Sequence, residues 1–353
     1  MTQQFNTARI AHISAALPSK KLYNLDNPNF DEKEKRRLVK KVGVTSRYVV
    51  DREKGERLLD LYIKAGLDSL ERLGWAKDSI DAIIVLSQSH EYKFPSTACI
   101  LQDRLGLRNE VIAFDASLGC SGYVYGLNIA FNYAANGANR ILLFVGEASQ
   151  DTASQKDRHV AFLFGDAVAC TAIEALDSIK ARESHLPSTF YFKTLGRGYD
   201  YIIMPKGGHA SPITPKDFEE YIDKDGTVKS GICMQMKGLE VFDFTIEELP
   251  PALDKVLNLA KLSLSDIDRF YLHQANLFIL QFFADKFGIS DRMPINIGEF
   301  GNTSSASIPL LICDTQGSNI RQSPVVMAGF GVGLSVAMVT LELNCSTSII
   351  GKQ

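Results

Sequence analysis

Tryptophan occurs once, at Trp75, in a chain of 353 residues, and neither sign of charge predominates: 38 Lys and Arg stand against 41 Asp and Glu. A formal net charge of −3 excludes the strongly basic footprint of a nucleic-acid binder, and nothing global points to a membrane surface. The six cysteines (Cys99, Cys120, Cys170, Cys233, Cys313 and Cys345) are scattered, with no CxxC pair and no tight Cys/His cluster, which argues against a disulfide framework and a structural metal. Met1-Thr2-Gln3-Gln4-Phe5 lacks the basic-then-apolar pattern of a signal peptide, so reduced thiols in a cytoplasm are expected. The longest uncharged run, Ser323 to Leu341, is cut by Pro324, Gly329, Gly331 and Gly333 into two strand-sized pieces. It reads as a buried hairpin and not as a membrane span.

What is present is the composition of a soluble globular protein, 45% hydrophobic and 22% charged, long enough for two lobes around a deep site. The stretch Phe114 to Tyr123 organises it. An apolar strand-like run ends in small residues and one thiol, Cys120, directly before the helix-like Val124 to Ala130. A cysteine at a helix N-terminus is expected to have its pKa lowered from about 8.5 toward neutrality, which supplies thiolate. Upstream, Arg9 to Ala16 reads as a strand, and Asp31 to Lys41 as a short exposed helix whose basic excess suits a phosphate-bearing substrate at a site mouth.

A unit then recurs. The helix Leu58 to Gly74, the turn Ser79-Ile80-Asp81 and the strand Ala82 to Leu86 are answered by Leu253 to Leu257, Ser265-Asp266-Ile267-Asp268 and Phe270 to Leu272. Gln102 to Leu107 is answered by Ala284 to Ile289, Val111 to Phe114 by Met293 to Asn296, and Ile141 to Gly146 by Pro324 to Gly329. So long a repeat predicts two similar α/β lobes, 1–178 and 179–353, each with a mostly parallel sheet covered by helices. The second begins with an irregular excursion, Lys180 to Gly231, with strand-like Thr189 to Lys193 and Tyr201 to Met204. At the spacing that relates Gly106 to Gly288, Cys120 falls on Asn302, in Phe300-Gly301-Asn302-Thr303-Ser304. Ligands of open α/β sheets gather at the carboxyl ends of strands, where His273 also lies, so three groups are expected to converge. A thiol, an imidazole and a carboxamide support acyl chemistry, either a cysteine hydrolase, whose papain-like chain order Cys, His, Asn they follow, or an acyl-transferring condensation. The local signature of the hydrolase is missing.

The chain resembles the β-ketoacyl-[acyl carrier protein] synthase III group of the thiolase superfamily. The marks, in order, are Gly43 to Tyr48, Phe94-Pro95-Ser96-Thr97-Ala98-Cys99, Gly119-Cys120-Ser121-Gly122, Phe164-Gly165-Asp166-Ala167, His273-Gln274-Ala275-Asn276, Gly301 to Ser304 and Gly329 to Gly333. The resemblance implies a thiolase fold with duplicated mixed-sheet lobes in a layered α-β-α-β-α arrangement, working as a homodimer. It implies that Cys120 is acylated, and that His273 and Asn302 hold the thioester oxygen of a malonyl-type extender during decarboxylative Claisen condensation. On the same resemblance, the backbone N–H groups of Cys120 and Val332 would form the acyl oxyanion hole, Phe94 would reach into the partner's acyl pocket, and Arg158 would clasp the adenine end of coenzyme A. No cofactor beyond acyl-CoA or acyl-carrier thioesters is implied. The alternative is acyl transfer from Cys120 to an alcohol or amine, with His273 as general base and no loss of carbon dioxide. A third reading, a silent partner subunit, has little reason to keep all three groups.

Departures from the fatty-acid enzymes bear on substrate. Arg37 stands in place of a tryptophan of the adenine clasp, Phe278 in place of an arginine used for acyl carrier protein, and Asp243 in place of a helpful lysine. A specialised relative is expected, with acyl carrier protein or another carrier as partner. Glu91 lies about as far upstream of the nucleophile as the catalytic glutamate of hydroxymethylglutaryl-coenzyme A synthases, but beside Lys93 it reads more simply as a loop carboxylate and stays outside the predicted site.

Overall fold

In the computed structural model, which describes residues 1–177, 182, 184–224, 226–316 and 322–353, two sheets carry the chain. The first has six strands in the order Ser346–Ile350, Ala8–Ala16, Ala167–Ala175, Arg140–Glu147, Ala82–Leu86, Ile112–Ala116. The second has five, in the order Thr2–Phe5, Ser188–Thr194, Ser335–Leu343, Ser323–Gly331, Arg269–Leu272. The pairing senses repeat: Ala82–Leu86 runs parallel to Arg140–Glu147, which is antiparallel to Ala167–Ala175. Likewise Arg269–Leu272 runs parallel to Ser323–Gly331, which is antiparallel to Ser335–Leu343 as the predicted hairpin.

The helix Gly122–Ala135 packs on strands of both sheets, as does Ser307–Gln316, so the two form the central layer. A helix held between two sheets has no solvent face, and the run Gly-Tyr-Val-Tyr-Gly-Leu-Asn-Ile-Ala-Phe is accordingly without charge. Leu58–Leu73 and Thr97–Leu105 cover the outer face of the first sheet, and Gly238–Ala260 that of the second. The layers are therefore α-β-α-β-α. Local chemistry sets the ends: Asp115 accepts from the N–H groups of Thr97 (2.6 Å) and Ala98 (2.9 Å), capping that helix, while Gly74 stops Leu58–Leu73 at φ +60°.

Four features depart from the sequence reading. The second sheet, expected to be mostly parallel, is antiparallel in three of its four pairings. Met293 to Asn296 forms no strand, with a bend at Met293 and ψ 7° at Asn296, and among the described residues nothing fills in the second sheet the sixth position that Ile112–Ala116 fills in the first. Pro294 has no N–H to give to a ladder. The terminal strands are exchanged: Thr2–Phe5 pairs with Ser188–Thr194 in the second sheet, and Ser346–Ile350 with Ala8–Ala16 in the first. The proposed boundary at 178/179 lies outside the described residues. Finally, the helix of the basic segment, Glu32–Val42, is exposed only in part, since Leu38 and the stem of Lys35 are buried.

Candidate active site

Cys120 sits just before the helix Gly122–Ala135, at the bottom of a cavity of about 1440 Å³ that His273 and Asn302 also line. All three are buried, Cys120 at 8% exposure. The cavity needs glycine beside the thiol: a Cβ on Gly331, at φ +143°, would lie 2.8 Å from Cys120 Cβ and 2.9 Å from Sγ. On the other side, a Cβ on Gly119 would meet Gln88 Oε1 at 2.4 Å. Gly331 thus lets the next residue, Val332, aim its backbone N–H at the thiol, where it joins that of Cys120 itself. Two backbone donors therefore converge beside the sulfur.

The expected depression of the thiol pKa is corrected by the structure. Burial pushes the Cys120 thiol up, the Val332 N–H and the Ser304 hydroxyl, 3.9 Å from Sγ, offset part of this, and the charge of Glu147 adds to the rise. Desolvation is a tertiary effect that a strand-to-helix pattern does not carry.

His273 follows the strand Arg269–Leu272, and its N–H donates to Ala328 O at 2.8 Å, which continues the ladder. Nδ1 lies 2.7 Å from Ser307 Oγ, and the ring meets Phe330 edge-on at 5.4 Å. The Gln274 N–H donates to Ser307 Oγ at 3.4 Å, which leaves that hydroxyl its own hydrogen to give to Nδ1; in that tautomer the ring hydrogen sits on Nε2. Burial lowers the pKa of His273 to about 3, and a hydrogen bond to the Ser304 backbone returns only part. The imidazole is therefore neutral, a donor and a poor base.

Asn302 is held on both sides of its carboxamide. Oδ1 accepts from the Ser304 N–H at 2.9 Å, and Nδ2 donates to Ala275 O at 3.3 Å, which leaves the second Nδ2 hydrogen for a ligand. Ser304 adopts φ +51°, a conformation that costs a non-glycine residue about 1 kcal/mol or more and recurs where a site over-determines it. The site thus combines a buried thiol, two backbone donors, an Nε2–H and an Nδ2–H, with no strong base among these groups.

The mouth is basic. Arg37, Lys40, Lys41, Arg158, Lys229 and Lys237 line it, with Glu34 between Arg37 (3.6 Å) and Arg158 (3.8 Å). The excursion that sequence left without a role supplies a wall, through Ile202, Ile203, Met204, Met234 and Met236. Phe278 lines the mouth, its ring 5.3 Å from that of Phe242. Phe94 does not reach the cavity of its own chain and is 85% exposed. Glu91 is also absent from the lining, paired with Arg57 at 2.9 Å. Sequence reasoning missed Glu147, a buried cavity carboxylate, although it ends the strand Arg140–Glu147 on the edge that drew attention to His273.

Comparison with known proteins gives one consistent result. Family models described as 3-oxoacyl-[acyl-carrier-protein (ACP)] synthase III and as its C-terminal part match residues 114–189 and 257–343. The chain is 31% identical over 333 residues to a β-ketoacyl-[acyl-carrier-protein] synthase III of Clostridium tetani, covering 93% of this chain and 96% of that one. The Acholeplasma laidlawii protein of the same name is 32% identical, over 87% and 89% of the two chains. Among solved structures, a 3-oxoacyl-(acyl-carrier protein) synthase from Burkholderia xenovorans superposes with a TM-score of 0.89 at 36% identity, covering 99% of each chain.

Proposed function

The chain belongs to the β-ketoacyl-[acyl-carrier-protein] synthase III family, acyl-transferring enzymes of the thiolase fold, and from that premise we propose decarboxylative Claisen condensation of an acyl thioester with a malonyl-type thioester. In this reading Cys120 takes the acyl group and releases the carrier thiol. The N–H groups of Cys120 and Val332 receive the acyl oxygen as it becomes an oxyanion, each donor contributing about 3 kcal/mol. His273 Nε2–H and Asn302 Nδ2–H receive the thioester oxygen of the extender, whose carboxylate departs as carbon dioxide. The electron pair left behind forms an enolate, which attacks the acyl carbon and expels Cys120.

The observation that carries the reading is the convergence of Cys120, His273 and Asn302 on one buried cavity. A neutral histidine with pKa about 3 suits donation to an enolate oxygen and is ill suited to deprotonating an alcohol or amine, which favours condensation over simple acyl transfer. The basic mouth suits the phosphates of coenzyme A, with Arg158 at the adenine end. Arg37, Phe278 and Asp243 support a specialised fatty-acid, polyketide or secondary-metabolite pathway, with acyl carrier protein as an alternative carrier. The working unit is a homodimer in which the exposed Phe94 shapes the partner's acyl pocket. The chemistry needs only the thioester substrates. Carbon dioxide release from a malonyl thioester tests it: release that is lost in His273→Ala supports condensation, and no release with any carrier would sink it.

A further inference from the structure

The two sides of the cavity differ in chemistry. The excursion and the second lobe supply its apolar wall, whereas the strand ends of the first sheet contribute, besides Cys120, only polar groups. These are Gln88 and Ser89 after Ala82–Leu86, Ser117 after Ile112–Ala116, Glu147 at the end of Arg140–Glu147, and Ser149 and Thr152 beyond it. Some of them are committed already: Ser89 Oγ donates to Glu147 at 2.9 Å, and Thr152 Oγ1 to Ser149 O at 3.1 Å. The carboxamide of Gln88 and the hydroxyl of Ser117 are accessible, line the cavity and have no hydrogen-bond partner among the described residues.

The main chain holds Gln88 firmly and leaves its side chain free. The Gln88 N–H donates to Glu147 Oε1 at 3.0 Å and Oε2 at 3.1 Å, the Ser89 N–H donates to Ser87 Oγ at 2.9 Å, and Ser87 Oγ donates to Gly146 O at 2.7 Å. From that anchored turn the carboxamide reaches the residue before the nucleophile. A Cβ on Gly119 would overlap Gln88 Oε1 and lie 2.9 Å from Val332 Cγ1. Gly119 thus makes room for the carboxamide beside Val332, whose N–H faces the thiol, so an acyl group on Cys120 has Gln88 near its first carbons.

An acyl group that fills this side of the cavity displaces water from the polar groups. An alkyl chain returns no hydrogen bond to them, and a polar group left without a partner in a filled pocket is costly. A hydroxyl restores the bonds in both senses, donating to the carboxamide oxygen and accepting from its nitrogen. Glu147, on the same side, opposes a chain that ends in a carboxylate. We propose that Gln88 is a specificity-determining residue of the acylation step and that it selects acyl thioesters with a hydroxyl close to the thioester carbonyl, an inference that rests on the acyl-Cys120 reading above. Glu147 serves this selection as the anchor of the Gln88 main chain.

The test offers butanoyl-CoA, α-hydroxybutanoyl-CoA and β-hydroxybutanoyl-CoA as sole donors and reads acyl-Cys120 by intact-protein mass spectrometry, as rate per unit donor concentration. The carrier is the same in all three, so contacts at the mouth cancel. At least one hydroxylated donor is expected to acylate about 10–100-fold faster than butanoyl-CoA, the discrimination of one hydrogen-bonding group satisfied or left bare. Gln88→Leu keeps the N–H that Glu147 accepts and nearly the same volume, so the chain is expected to fold; butanoyl-CoA gains, the hydroxylated donor loses, and their ratio falls to near one. Wild-type enzyme that acylates with butanoyl-CoA as fast as with both hydroxylated donors overturns the proposal, and so does a hydroxyl preference that survives Gln88→Leu. Failure to form acyl-Cys120 with any donor, carrier-protein thioesters included, refutes the underlying reading instead, so the two failures are distinct.

Discussion

Asn302→Asp separates the two duties of one side chain. Asn302 Oδ1 accepts from the Ser304 N–H at 2.9 Å, and a carboxylate oxygen can keep that bond and with it the turn. Nδ2 donates to Ala275 O at 3.3 Å and, in the proposed reaction, to the enolate oxygen. A carboxylate has no hydrogen for either and adds negative charge where negative charge develops. Loss of one preorganised donor costs about 2.7–4 kcal/mol, so carbon dioxide release is expected to fall about 10²–10³-fold. Acylation, which in the proposed reaction relies on the N–H groups of Cys120 and Val332, should stay near the wild-type rate. The assay runs the halves separately, adduct mass on Cys120 with acyl-CoA alone and carbon dioxide release with malonyl thioester. Release at the wild-type rate, or an equal loss in both halves, refutes the assignment of Asn302 to the extender.

Gly331→Ala places a methyl 2.9 Å from Cys120 Sγ at a φ that favours glycine; the overpacking costs about 1–3 kcal/mol, and slowed iodoacetamide labelling of Cys120 with loss of acylation is expected. Labelling at the wild-type rate contradicts the contact. His273 has a folded pKa of about 3 against 6.5 for the free side chain, so on acidification the unfolded chain takes up the proton first. Its contribution to stability is complete above pH 6.5 and is lost as pH falls from 6.5 toward 3, at about 1.4 kcal/mol per pH unit. Denaturant unfolding of wild type and His273→Gln across pH 4–6.5 checks this, the variant showing the shallower dependence; parallel slopes would refute a buried neutral histidine.

The doubled architecture was legible because Ile80-Asp81 and Ile267-Asp268 open buried strands in the same local context, and glycine stops at Gly106 and Gly288 mark matching helix ends. That register, with the strand-end argument, carried Cys120, His273 and Asn302 into one cavity. What stayed hidden depends on distant partners. Thr2-Gln3-Gln4-Phe5 has little strand character of its own and owes its place to pairing with Ser188–Thr194. Met293 to Asn296 stays out of the sheet, and Pro294 there has no N–H to give to a ladder. The rise in the Cys120 pKa comes from desolvation by elements far along the chain, and the cavity wall of Ile202, Met204 and Met236 from an excursion with weak periodicity. Glu147 was within reach of the same strand-end logic, had Ile141 to Gly146 been followed one residue further.

The most direct test of the central claim is a single-turnover chase. Enzyme carrying an acyl group on Cys120, freed of excess donor, is mixed with a malonyl thioester labelled in its free carboxylate, and the protein mass, the label and the thioester product are followed together. Decarboxylative condensation predicts that the adduct disappears, labelled carbon dioxide is released and a β-ketoacyl thioester forms, all at one rate and in equal amounts. A β-ketoacyl product that keeps the label, or an adduct that persists while carbon dioxide is released, would contradict it.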